Sequence, residues 1–398
     1  MTHPLAVGVG VEPVADRVVA AVRSALRDHE GPAALHQPEF RGAEWTYVKD
    51  CLDSGWVSSV GAYVDRFERE LERVTGVGHA VATSTGTAAL HVCMLLAGVQ
   101  RGDEVLVPAL TFVATANAVS YTGAVPHFVE ADASTLGVDP HALEQHLQAV
   151  ARLEDGVCRN VATGAVIRAL IVTHVLGFPC DLDALDSLAE RWRLVLIEDA
   201  AEALGSYWRN VHVGGRSRLA ALSFNGNKIV TTGGGGAILT NDPALALRAK
   251  HLTTTAKQPH AWAFDHDEVA FNYRLPNLNA ALGCAQLERL DDMIARKRVL
   301  AARYLEAFAA VEGVRVLAEP AGARSNAWLT GILLDDPADR DPTLEALAAA
   351  GLMARPLWTL MHRLPMYAAC PRASLTVAEA LEARVITLPS SACLADAG

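Results

Sequence analysis

No stretch of this sequence is long and apolar enough to cross a bilayer as a helix. The longest apolar run, residues 88–99, falls short of the roughly 20 residues such a span needs. Basic charge is in deficit: 34 Lys and Arg stand against 45 Asp and Glu, a net charge of −11. That balance argues against nucleic-acid and anionic-membrane partners. An acidic chain can still bind a phosphate locally, through backbone N–H groups and a few placed cations. Cysteine is sparse. The seven, at positions 51, 93, 158, 180, 284, 370 and 393, form no CxxC pair and no ligand-like cluster. With no secretory signal ("MTHPLAVGVGVEPVADRVVAAVRSAL" lacks a basic n-region), they read as free thiols in a cytoplasmic protein. Fourteen histidines include no HExxH, "DHDE" (265–268) has no ligand-spaced partner, and "GGGG" is not followed by GK[ST]. No metal site and no P-loop are therefore expected.

What is present is a 398-residue chain, 51% hydrophobic and 20% charged, which implies a sizeable core and more than one domain. Strand-like and helix-like patterns alternate along its first half. "HAVATS" (79–84) reads as a strand and 87–99 as a buried helix; 103–110, 111–123 and 124–132 repeat strand, helix, strand. The pattern returns as a strand over 168–177, a helix over 182–192 and a strand over 193–199. Such alternation predicts an α/β fold with a mainly parallel sheet covered on both faces, its ligand site beyond the carboxyl ends of the strands. After Pro276 the pattern changes to one or two long helices and then a mixed segment. The expected organisation is a helical leader over 1–35, a large domain over 36–280 and a small C-terminal domain over 281–398.

Three features fall at the strand ends. "STGTAAL" (84–90) places Gly86, Thr87 and Ala88 where a strand turns into a helix, with N–H groups free to meet a phosphate. Asp199 follows the apolar strand of "LIEDAAEALGS" (196–206), where it would either cap a helix or face a bound cation. Lys228 sits in "SFNGNKIVTTGGGGAIL" (223–239), between small polar residues and four glycines. A phosphate cradle, a strand-end acid and a lysine in a small-residue turn, in that order, match the needs of pyridoxal 5′-phosphate. The lysine would form its Schiff base, and the acid would hold its ring nitrogen protonated as an electron sink. His174, in "VTHVLGFPCD", lies at another strand end and reads either as lining the site or as a satisfied core histidine.

These motifs, with "GWVSSVGAYVDRFE" (55–68), "GDEVLVPALTFVATANAV" (102–119) and "FNYRLPNLNAALGCAQLE" (271–288), carry a resemblance to a known family. From about residue 36 to its end the chain resembles the DegT/DnrJ/EryC1/StrS sugar aminotransferases. "LTTTAKQPHAWAFDHDEV" (252–269) and "RPLWTLMHRLPMY" (355–367) are similar to the LegC-like branch. The resemblance implies the fold-type-I transferase fold and a homodimer with shared sites. It implies transfer of an amine from glutamate to C4 of a nucleotide-linked 4-keto-6-deoxy sugar, a UDP-linked N-acetylhexosamine first, for surface-glycan amino-sugar synthesis. A GDP-4-keto-6-deoxymannose substrate, giving perosamine, is the second reading. By the same resemblance Lys228 moves the proton, Asp199 pairs with the pyridine nitrogen, and Phe112 stacks on the ring. Gly86, Thr87, Ala88 and Ser223 meet the phosphate, and Asn272 reaches it from the neighbouring subunit. Ser58, Ser59, His174, Arg355 and His362 are the candidates for sugar-nucleotide contact.

Glu202 stands where many members of the family carry His or Gln near the ring oxygen, a departure that the LegC-like branch shares. Dehydratase-like members carry His at the position of Lys228, so the lysine implies amination rather than deoxygenation. Taken singly, Phe112 reads as a core aromatic, and Asn272 and Arg274 as loop-capping residues. A class I aldolase would also use a Schiff-base lysine, but on an eightfold barrel without a phosphate cradle. A non-catalytic, cofactor-binding regulator would need a DNA-binding segment, and no basic patch offers one.

Overall fold

A computed structural model of the chain describes residues 12–27 and 29–396. Seven strands carry the central sheet: β1 (His79–Thr83), β2 (Glu104–Pro108), β3 (Val125–Val129), β4 (Val166–Thr173), β5 (Val195–Asp199), β6 (Leu219–Ser223) and β7 (Gly236–Thr240). They lie in the order β1-β7-β6-β5-β4-β2-β3. From β6 to β3 every pairing is parallel, while β7 runs antiparallel to both β6 and β1. A hairpin, Ala151–Glu154 with Val157–Asn160, adds antiparallel to the start of β4.

The strand sequences explain this arrangement. β2 (EVLVP) and β7 (GAILT) are buried along their whole length rather than alternately, as expected where helices cover both faces of a parallel sheet. Crossover helices Gly86–Leu96, Val113–Tyr121 and Leu182–Arg191 supply that cover. The expected strand over 168–177 ends earlier, at Thr173, and the chain turns through Val175–Gly177 with Leu176 at φ 57°. The apolar run continues because the turn is itself buried, Leu176 being 1% exposed. Its N–H is turned onto Glu202 Oε2 at 2.9 Å.

Beyond the large sheet, helices Asn277–Leu287 and Leu290–Phe308 lead to a four-stranded antiparallel sheet. Its strands are Val314–Val316, Thr330–Leu334, Val385–Leu388 and Arg355–Pro356, in that order. The leader expected over 1–35 falls partly on residues 1–11 and 28, outside the described ones. Its described helix, Val14–Leu26, puts Val18, Val22 and Leu26 into one apolar cluster with Leu300, Tyr304, Ile332 and Ile386 of the C-terminal part. The larger cluster runs through the central sheet and also takes in Met293, Ile294, Trp328 and Leu357. Through those last residues the C-terminal part is seated over the carboxyl ends of the strands.

Candidate active site

At those strand ends lies a cavity of about 340 Å³. Gly86, Thr87, Phe112, Asp199, Glu202, Ser223 and Lys228 all line it, residues drawn from the connections that follow β1, β2, β5 and β6. Helix Gly86–Leu96 points its first turn into the cavity. Thr85 is its N-cap, and Ala88 N–H donates to Thr85 Oγ1 at 3.0 Å. Ala88 is thereby committed to the cap, and the N–H groups of Gly86 and Thr87 are the ones left facing outward.

The glycines around Lys228 act by close approach. A Cβ at Gly236 would stand 2.5 Å from the carbonyl carbon of Thr85, and one at Gly86 would stand 2.8 Å from Ser223 Cβ. Side chains there would force β7 and the helix start apart. Gly233, at φ +78°, supplies the left-handed turn that returns the chain into β7.

The electrostatics of the cavity are unbalanced. Asp199 is 4% exposed; its Oδ2 accepts from Thr115 Oγ1 at 2.7 Å and its Oδ1 from Ala201 N–H at 3.2 Å. Thr115 in turn is linked through Thr111 to Thr173. Burial pushes the Asp199 carboxyl above its ordinary value, and the Thr115 and Ala201 bonds and the more distant Lys228 only partly offset it. Asp199 caps no helix, because turns follow it up to Ser206. Glu202 Oε1 accepts from Lys228 Nζ at 3.3 Å, and burial raises the Glu202 carboxyl too, with Lys228 pulling it back.

Two buried carboxylates thus share one lining cation, Lys228. Asp199 is the acid left without a partner of opposite charge among the cavity's described residues. That deficit fits pyridoxal 5′-phosphate. Its protonated ring nitrogen would supply the missing positive charge at Asp199, its aldehyde carbon would meet Lys228, and its phosphate would meet the Gly86–Thr87 helix start beside Ser223.

The other residues singled out from sequence lie elsewhere. His174 is fully buried beneath the site: its Nε2–H donates to Glu198 Oε2 at 2.9 Å and its Nδ1 accepts from Cys180 N–H at 3.1 Å. Both ring nitrogens are used, so it belongs to the core reading. Asn272 is exposed, its Oδ1 accepting from Arg274 Nε at 3.0 Å. Ser58 and Ser59 sit on the loop where Ser58 O accepts from Asn277 N–H. Arg355 is exposed on an edge strand, and His362 faces Glu379 at 3.3 Å. None of these six lines the cavity.

Among the lining residues not singled out from sequence are Thr115, Trp328 and Trp358. Thr115 lies in the first turn of the helix that follows Phe112, and its hydroxyl pairs with that of Thr111, just ahead of the helix, at 2.8 Å. The tryptophans come from the C-terminal part, and no local pattern links them to Lys228. Trp358 meets Phe112 edge to face, centroids 6.3 Å apart.

A mainly parallel sheet with a lysine, an acid and a helix N-terminus at its carboxyl ends defines the fold-type-I, pyridoxal 5′-phosphate-dependent transferases. The chain belongs to the DegT/DnrJ/EryC1/StrS aminotransferase family, which it matches over residues 38–397. It is 37% identical over 333 residues to EpsN of Bacillus subtilis (strain 168), to which a pyridoxal phosphate-dependent aminotransferase activity is attributed, covering 84% of this chain and 83% of that protein. It is 36% identical over 356 residues to the GDP-perosamine synthase of Escherichia coli O157:H7, covering 89% and 92%. Among solved structures, the aminotransferase TlmJ from Streptoalloteichus hindustanus superposes with a TM-score of 0.82 at 29% identity, over 90% of this chain and 94% of that one. The protein is a pyridoxal 5′-phosphate-dependent sugar aminotransferase.

Proposed function

We propose that this aminotransferase moves an amine from glutamate to C4 of a nucleotide-linked 4-keto-6-deoxy sugar, with UDP-2-acetamido-4-keto-2,6-dideoxyhexose as the acceptor. The observation that carries the reaction class is the joint placement of Lys228, Asp199 and the Gly86–Thr87 helix start around one cavity. The motifs over 252–269 and 355–367, shared with the LegC-like branch, support the UDP-linked N-acetyl sugar. The GDP-linked 4-keto-6-deoxymannose is a second reading, favoured by the 36% identity to a protein named GDP-perosamine synthase.

When bound, the cofactor supplies the electron sink and the carrier for the amine. The chain's own residues do the rest. Asp199, fixed by Thr115, holds a positive charge at the ring nitrogen. Phe112, 53% exposed just ahead of its helix and lining the cavity, would stack on the ring. The helix start and Ser223 would hold the phosphate, in the same cavity that Lys228 lines. The Lys228 amine takes a proton from the donor's Cα and returns one to C4 of the acceptor, the single mobile base the reaction needs. Glu202, 3.3 Å from that amine, keeps it within reach.

Asn272 and the exposed aromatics Trp45, Trp56, Trp262 and Phe264 lie outside the cavity of their own protomer. Their exposure supports a homodimer in which Asn272 reaches the partner's phosphate site. Sedimentation of the purified protein as a monomer would contradict it.

The substrate is tested by product mass after incubating the cofactor-loaded protein with glutamate and each keto-sugar separately. Amination of the UDP-linked N-acetyl sugar alone is expected. Turnover of the GDP sugar instead would move the protein to the perosamine reading, and amination of neither would remove both acceptors.

A further inference from the structure

Trp328 lies far from Lys228 in sequence and yet closes its far side. Lys228 Nζ stands 4.1 Å from the centroid of the Trp328 ring, with Glu202 Oε1 at 3.3 Å as its other neighbour. The indole is 4% exposed and its direction is fixed at both ends. Its Nε1–H donates to the carbonyl of Asn227, the residue before Lys228, at 2.8 Å. Its backbone N–H donates to Asn326 Oδ1 at 2.9 Å. Asn326, fully buried, ties this segment back to the acid strand end: its Nδ2–H groups donate to the carbonyls of Glu202 and Leu204, both at 2.9 Å. One short segment of the C-terminal part therefore holds the lysine loop, the Glu202 turn and the lysine amine in a fixed relation.

We propose that Trp328 is a positioning residue for Lys228. Once the free Lys228 amine has taken up its proton, the indole face and Glu202 hold the resulting ammonium between them, pointed into the cavity. An ammonium whose side chain is only 13% exposed is held well between a carboxylate and a π face, and Trp is the strongest of the aromatic faces. The consequence is that the proton carrier stays beside the reacting carbon through the steps in which it is covalently free. The indole N–H adds a second function, fixing the backbone from which the lysine projects.

The proposal rests on Lys228 being the mobile amine, so its test is read without turnover. The full-length protein is loaded with pyridoxamine 5′-phosphate, which cannot bond to the lysine, and treated with an amine-acylating reagent. Labelling of Lys228 is compared by peptide mass with that of Lys49, an exposed lysine outside the cavity. Trp328→Leu is expected to raise the Lys228 to Lys49 ratio by roughly 2- to 30-fold, the span that loss of a cation–π contact corresponds to. Trp328→Phe keeps an aromatic face and most of the core volume, and is expected to stay within about threefold of the wild type. In the glutamate half-reaction Trp328→Leu should lower the maximal rate while leaving KM for glutamate nearly unchanged, with Trp328→Phe restoring most of the rate. An unchanged labelling ratio in Trp328→Leu would overturn the proposal, as would Trp328→Phe labelling as strongly as the leucine variant. Failure of the reading of Lys228 itself would show separately, as normal turnover in Lys228→Ala.

Discussion

Glu198 and Asp199 are consecutive residues of one strand, and the pleat sends their side chains to opposite faces. Both are buried carboxylates, yet their surroundings differ. Glu198 is fully buried and accepts from His174 Nε2–H at 2.9 Å, Gly214 N–H at 2.6 Å and Ser217 N–H at 3.0 Å. Burial works against its charge, but the bonds from His174, Ser217 and Gly214 outweigh that and hold the carboxyl below its ordinary value. Asp199 has a hydroxyl and one backbone N–H, and burial leaves its carboxyl above its ordinary value. The first acid is satisfied by the fold. The second is satisfied only when something positive enters the cavity, which is what a cofactor site requires and a structural site avoids.

The comparison can be broken or sharpened by substitution. The largest effect is expected from Lys228→Ala, which removes both the cofactor's covalent anchor and the mobile base. Steady-state turnover should fall by about 10⁴-fold or more with the fold retained. Glu198→Leu should act on stability instead. It strands three buried donors at about 1–3 kcal/mol each, a loss of roughly 3–9 kcal/mol readable by chemical denaturation. If Glu198→Leu unfolded at wild-type denaturant concentrations, the two acids would not differ as described.

Asp199→Asn should do the reverse. The rate should fall by about 10²- to 10³-fold, as for loss of one preorganised charge at a reacting group. The cofactor-free protein should melt no lower than the wild type at neutral pH. The sign follows from linkage. Glu198, held low, contributes stability that is present above its ordinary 4.5 and lost as pH falls through its folded value. Asp199, held high, contributes stability that is present below its ordinary 3.8 and lost as pH rises through its folded value. Stability curves of the cofactor-free protein should therefore lose part of their acid-side fall in Glu198→Gln and gain at neutral pH in Asp199→Asn. The smallest effect is expected from Gly236→Ala. Its methyl would push β7 off the Gly86–Thr87 helix start and weaken cofactor retention by about 10- to 100-fold, the size of an overpacking cost of about 1–3 kcal/mol. Equilibrium dialysis of the cofactor would measure it.

Much of this was legible in the sequence because the chemistry sits at strand ends, and strand ends are local features. The alternation of apolar runs located β1 to β5, and Lys228 and Asp199 stood out by residue type against small neighbours. What lay beyond reach was contact between distant segments. β6 and β7, which frame the lysine loop, were not assigned, and the hairpin over 151–160 left no pattern separable from a loop. His174 and Glu198 gave no sign that they satisfy each other, since their pairing depends on how β4 and β5 lie side by side. Trp328 and Trp358 reach the cavity only through the packing of the C-terminal part. The glycines of "GGGG" suggested a tight turn, but their main work, letting β7 pass against the Thr85–Gly86 backbone, needs the register of β1 with β7.

The central claim is that this cavity, through Lys228, holds the cofactor. Borohydride reduction of the cofactor-loaded protein, followed by proteolysis and mass measurement of the peptides, tests it most directly. The predicted result is the reduced cofactor's mass on the peptide carrying Lys228 and on no other, with the same label lost in Lys228→Ala. The label on a different lysine, or its persistence in that variant, would contradict the account.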